Sequence, residues 1–293
     1  MSRKLIILAL FILIVIIVAA VTVFMLPQNG SVQPKAVIVD NLALMPHASS
    51  NHDFVKNATK ILNEVGMDVD YFPLDDVTVN LYRNLGSYLI VILRTHSGMC
   101  FNNKSKKYET YLFTSEGIQK IGKYSQYLGK NKNYLGNACI PATGECFIAV
   151  GPSFIRDFSE NFHDSVIIAM GCESLKTTAL AEAFIEKGAS VFIGWTREVT
   201  PEGTDNATLQ LLRRFFIENK TVSMAVNGLV DKSTWAKLDF YPDKAANLKP
   251  FSLVKKLIVA KASFSIFLIN QPLIFNGYLF VINLGYRRLF RKF

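Results

Sequence analysis

Two residues with the chemistry of an acyl-transfer pair stand at the ends of two apolar runs. Cys172 closes the run in SVIIAMGCES (165–174), and His96 closes the run in SYLIVILRTHSG (87–98). A thiol beside an imidazole is a nucleophile beside a general base. If the two runs are neighbouring strands, about 5 Å apart, residues just past their carboxyl ends come within reach of one another. Singly, a cysteine after a strand is most often a small buried hydrophobe, and a lone histidine is most often structural. The shared setting points to catalysis: both follow strand-length runs, and glycine stands at 171 and 98. Backbone N–H groups at Gly98 and Cys172 are the candidate oxyanion donors. A helix expected to begin near Leu175 would pull the thiol toward thiolate.

The surrounding segments read as the scaffold such a pair needs. Runs at 35–41, 67–74, 88–94, 166–170 and 190–195 have strand length. Helical spacing lies between them: Phe54, Val55, Ala58, Ile61, Leu62 and Val65 form one stripe closed by Gly66, 175–188 form a second with Gly188 as its stop, and 206–219 form a third. This alternation predicts an α/β fold with a mostly parallel sheet covered on both faces. Such sheets bind and react at the carboxyl ends of their strands. Between 99 and 164 the alternation breaks, and a β-hairpin or inserted loop region is expected there.

The segments ILRTHSG and IIAMGCES resemble the caspase, legumain, gingipain and separase group of cysteine peptidases. That group places a histidine after one strand and a small residue plus cysteine after the next core strand. The likeness extends through VFIGWTREVTPEGTDNATLQLLRRFF and covers roughly residues 35–229. It implies a caspase-hemoglobinase three-layer sandwich, Cys172 as nucleophile, His96 as base, and Gly98 and Cys172 at the oxyanion positions. Several branches carry an acid or amide two positions before the nucleophile, where this chain has Met170. Asp40 and Asp205 are the acids expected to reach the substrate pocket, favouring cleavage after Arg or Lys. Trp195 is a candidate pocket wall or core residue, and Arg94 and Thr95 are expected to support the loop. A non-catalytic binding or scaffold module of the same fold is the alternative reading.

The ends of the chain speak of a membrane. Residues 5–26 hold no charge, and at about 1.5 Å per residue they cover about 33 Å, enough for a bilayer core. Arg3 and Lys4 precede this stretch, so the positive-inside rule sends the body out of the cytoplasm. Residues 262–286 are also uncharged and are followed by Arg287, Arg288, Arg291 and Lys292, which predicts a second span or an interfacial segment. The expected organisation is an anchor and linker at 1–32, a peptidase body at 33–250, and a membrane segment with a basic tail at 251–293. Of 293 residues half are apolar, and the formal charge of +9 gathers largely at the termini, which reads as membrane flank rather than a nucleic-acid surface. Sequons at Asn29, Asn57, Asn103, Asn206 and Asn219 suit an exported body, as does a disulfide across CIPATGEC between Cys139 and Cys146. A G-x-S-x-G elbow is missing, and His47, His52 and His163 have no ligand spacing, so neither serine hydrolysis nor zinc is expected. No cofactor is expected. The predicted partners are a polypeptide substrate and the lipid bilayer.

Overall fold

The computed structural model describes residues 34–42, 52–103, 105–128, 133–141 and 143–250, together with two short paired strands at Leu273–Phe275 and Tyr278–Phe280. The rest of both apolar end segments lies outside the described residues. Among the described residues no helix is long and apolar enough to cross a membrane.

In chain order the body runs β1 (Lys35–Asp40), α1 (His52–Glu64), β2 (Asp68–Pro73), α2 (Val79–Arg83) and β3 (Ile90–Arg94). Four strands come next: β4 (Ser97–Asn102), β5 (Lys107–Gly117), β6 (Leu135–Cys139) and β7 (Cys146–Val150). Then come α3 (Pro152–Phe158), β8 (Val166–Ala169), α4 (Ala179–Glu186), β9 (Val191–Trp195), α5 (Pro201–Leu212), α6 (Val222–Val226), β10 (Val230–Asp231) and β11 (Ala236–Tyr241). The main sheet has the order β10-β11-β9-β8-β3-β1-β2. Its five strands from β9 to β2 are parallel, and β11 is antiparallel to β9.

Burial follows from this topology. Every residue of β3, β8 and β9 is buried, as central parallel strands covered on both faces must be. Alternate residues feed two cores. Ile38, Ile92, Ile168 and Ile193 pack toward Phe54, Ala58 and Leu62 of α1 and Leu211 of α5. Val39, Leu93, Ile167 and Phe192 pack toward Tyr82 of α2, Phe154 of α3 and Phe184 of α4. The result is a mixed, mostly parallel sheet between two helical layers. Gly188 ends the α4 segment with φ +102, and an added Cβ there would sit 2.2 Å from the Phe162 carbonyl. The helix stop read from sequence is therefore a steric necessity.

From β1 the chain steps to β2 on one side and to β3 on the other. The strand order reverses at this point, and the loops after β1 and β3 meet at the carboxyl edge, where the Asn41 amide donates to the Arg94 carbonyl at 3.1 Å. Both ends of the body leave from the opposite edge. Pro34 accepts a hydrogen bond from Asp68 at the start of β2, while antiparallel β11 ends with Tyr241 opposite Phe192, near the start of β9.

The stretch between Met99 and Asp164, expected as a hairpin or loop insert, belongs to a four-stranded antiparallel sheet of order β4-β5-β7-β6, which begins at Ser97 and is followed by α3. Cys139 and Cys146 face each other across β6 and β7 and form the disulfide.

Candidate active site

The register β3–β8 pairs Leu93 with Ala169, so the chain leaves both strands side by side. Met170 continues the ladder by donating to the Leu93 carbonyl, 2.9 Å. Beyond it the two loops touch. Ser97 Oγ donates to the Cys172 carbonyl at 2.6 Å. Gly171 lies so close to the other loop that an added Cβ would stand 2.3 Å from the Thr95 carbonyl and 2.8 Å from the Ser97 nitrogen. Glycine is required at 171 to let the loops meet. At Gly98 an added Cβ would meet only the Phe113 ring, at 3.6 Å.

The two candidate side chains are each held by backbone. Cys172 Sγ lies 3.5 Å from both the amide nitrogen and the carbonyl oxygen of Val199, in the loop after β9. The His96 ring is held by the Leu42 backbone after β1 and packs on Phe113, centroids 5.9 Å apart. Its Nε2 is buried and makes no hydrogen bond. The thiol thus leans toward β9 and the imidazole toward β1. Burial lowers the His96 pKa; the Leu42 hydrogen bond opposes this, and the Arg94 charge adds to it. Burial raises the Cys172 thiol; the Val199 hydrogen bond opposes this, and the charges of Glu198 and Glu173 raise it further. At neutral pH both members of the pair rest uncharged.

The helix after Cys172 begins at Ala179, not near Leu175, with bends and turns between. The expected lowering of the thiol pKa by a helix N-terminus is therefore not realised. Glu173 takes a left-handed conformation, φ 55, and its amide donates to the Arg197 carbonyl. This joins the loop after β8 to the loop after β9. The amide that faces the Gly171-Cys172 loop belongs to Ser97 rather than to Gly98. Phe113 donates to the His96 carbonyl, which fixes the alternation of β4 against β5. Gly98, opposite Tyr111, turns its amide into that ladder, while Ser97 turns its amide away from β5, on the side where Gly171 and Cys172 lie.

The four residues expected to line the substrate pocket do not form one. Asp40, Asp205, Met170 and Trp195 are all buried. Arg94 donates to Asp205 through Nε at 2.8 Å and Nη2 at 3.0 Å, and to Asp40 through Nη1 at 2.7 Å. Asp205 lies within α5. Both carboxylates answer an internal cation and are not available to a substrate cation. Burial would lower the Arg94 pKa, but its hydrogen bonds to Asp205 and the two acidic charges hold it above the ordinary value. Tyr71 donates to Asp40, and burial, then the Asp40 charge, push its phenol up to about 12. Met170 packs in the core, and Trp195 donates from Nε1 to Thr204 Oγ1 at 2.9 Å.

Asn41 is a site residue that the sequence pattern did not single out. It is fully buried, its Oδ1 accepts from the His96 amide at 3.0 Å, and its Nδ2 donates to the Phe113 carbonyl at 2.8 Å. Its one signal is a polar pair, Asp40-Asn41, closing an apolar strand. Ser97 and Val199 carry no such signal. A cavity of about 590 Å³ opens beyond Thr200, one residue past Val199, with Glu202, Asn206, Gln210, Arg213 and Lys232 on its wall. Among the described residues no cluster of three or more His, Cys, Asp or Glu is arranged to hold a metal ion. No family model matches the chain, and no curated protein matches it.

Proposed function

We propose that the protein is a membrane-anchored cysteine endopeptidase of caspase-like fold, with Cys172 as nucleophile and His96 as base. The observation that carries this reading is the meeting of the two loops at the ends of adjacent parallel strands. Ser97, the residue after His96, hydrogen-bonds the carbonyl of Cys172 itself. The three-layer architecture agrees with the resemblance of the two motifs to the caspase, legumain, gingipain and separase group. In this mechanism His96 takes the thiol proton as the sulfur attacks the scissile carbonyl. The amides of Ser97 and Cys172 receive the developing oxyanion. His96 then returns the proton to the leaving amine, and water hydrolyses the thioester. Both side chains leave their backbone partners, Val199 and Leu42, to meet at the substrate.

The preference for Arg or Lys before the cut is kept on a new basis. With Asp40 and Asp205 committed to Arg94 and Glu173 paired with Lys176, the acid left to favour it is Glu198, whose charge acts on the thiol. The body is placed outside the cytoplasm, on the charge pattern of the first segment. The second reading, a non-catalytic binding module, is favoured by one observation, the half-buried thiol held by Val199.

The test is cleavage of fluorogenic peptides by the full-length reduced protein, with Cys172→Ala as comparison. Cleavage lost in a folded Cys172→Ala variant is the expected result. Full residual activity in that variant sinks the assignment, and no cleavage by the wild type favours the binding module.

A further inference from the structure

The first hairpin of the second sheet begins at the candidate site and ends in solvent. Successive rungs on one of its faces are Ser97 with Leu112, Met99 with Thr110, and Phe101 with Tyr108. The middle rung touches the nucleophile's loop, because Thr110 Oγ1 donates to the Glu173 carbonyl at 2.8 Å. The outer rung is an aromatic pair left in water. Phe101 is 47% exposed, Tyr108 is 61% exposed, and their rings meet edge to face at 5.4 Å. Beside it stand Lys106 and Lys107, both exposed, with no carboxylate in salt-bridge range among the described residues. The acid of this hairpin, Glu109, is spent on Asn102 and Ser105. An aromatic pair with a basic rim, one rung out from the nucleophile's loop, has two unmet needs, apolar cover and negative charge.

We propose that this arm docks an acidic polypeptide segment carrying an aromatic or large aliphatic residue. Resting on the peptidase reading, that segment is the part of the substrate lying about two residues from the bond cut at Cys172. The spacing follows from the rungs. Two residues of hairpin advance about 7 Å, which is also the advance of two residues of an extended peptide. β4 is the outer strand of its sheet, and among the described residues no strand pairs with its outer edge. Charge complementarity selects acidic neighbours for the docked residue. A bilayer surface fits the same chemistry less well. The body's two ends leave from the amino edge of the main sheet, whereas this arm rises from the carboxyl edge.

The experiment uses full-length protein carrying Cys172→Ala in nanodiscs, so that binding is read without cleavage. The probes are labelled peptides with one Phe between two Glu, and the same peptides with Ala for Phe or Lys for Glu. The Phe–Glu peptide is expected to bind about tenfold tighter than either relative. Phe101→Ala with Tyr108→Ala should abolish the advantage of Phe. Lys106→Glu with Lys107→Glu, which leaves the aromatic pair in place, should reverse the preference for Glu. Equal affinities across peptides, or unchanged preferences in both folded variants, overturn the proposal. So does protection of Lys106 from acetylation that appears only in nanodiscs containing phosphatidylserine, which makes the arm a lipid contact. Selective peptide binding by a protein that cleaves nothing refutes the peptidase reading and leaves the docking arm standing.

Discussion

Replacing Arg94 by Met is the sharpest probe of how the site is built. Arg94 is 1% exposed and makes three hydrogen bonds of 2.7–3.0 Å to Asp40 and Asp205, which are 2% and 4% exposed. Methionine fills much of the volume but leaves two carboxylates facing each other without a cation. Removing one partner of a buried ion pair costs about 3–5 kcal/mol, and here two acids are stranded. Tyr71 and the Leu42 amide still donate to Asp40, which keeps the loss within that range. At about 3 °C per kcal/mol for a body of this size, thermal unfolding should fall by about 10–15 °C at pH 7. The pH dependence has a definite sign. Stranded carboxylates acquire raised folded-state pKa values. A raised folded pKa gives stability that is present below the unfolded value, about 4, and is lost as pH rises through the folded value. The deficit of Arg94→Met should therefore narrow between pH 7 and pH 5. Adding Asp40→Asn and Asp205→Asn should recover at least half of it. Melting followed by circular dichroism on the full-length protein reads all three effects. A loss below about 1 kcal/mol, or a deficit independent of pH, would refute the claim that these acids answer Arg94 rather than the substrate.

Gly171→Ala forces a methyl within 2.3 Å of the Thr95 carbonyl and should part the two loops. A loss of about 1–3 kcal/mol in stability and a fall of about a hundredfold in peptide cleavage are expected, read by melting and by kcat/KM. Alkylation of Cys172 by iodoacetamide, followed peptide by peptide to separate it from Cys100, should show a midpoint above the ordinary thiol value of about 8.5 in the free protein. Glu198→Gln should move that midpoint down, because the Glu198 charge raises the thiol; a free-protein midpoint below pH 7 would contradict the description of the thiol's surroundings. Protease added to intact cells should digest the body, while protection until permeabilisation would reverse the orientation.

The sequence alone determined the alternation of strands and helices, because apolar runs of strand length and helical stripes are local patterns. It also determined that Cys172 and His96 close two such runs, and the parallel register then brings them to one edge. Helix stops at Gly66 and Gly188 were legible for the same reason: both hold positive φ, which few other residues tolerate. Only the tertiary structure decided what the polar residues do. Asp40, Arg94 and Asp205 are separated by 54 and 111 positions. Their partnership depends on β1 lying beside β3 and on α5 covering that face, and no local pattern states either. The position of Asn41 beneath His96 and of Val199 over Cys172 is likewise set by which loops the strand order brings together. The thiol's pKa also ran against the local signal. The anticipated helix start near Leu175 gave way to turns, and burial between two loops, a property of packing rather than of residue type, set its direction.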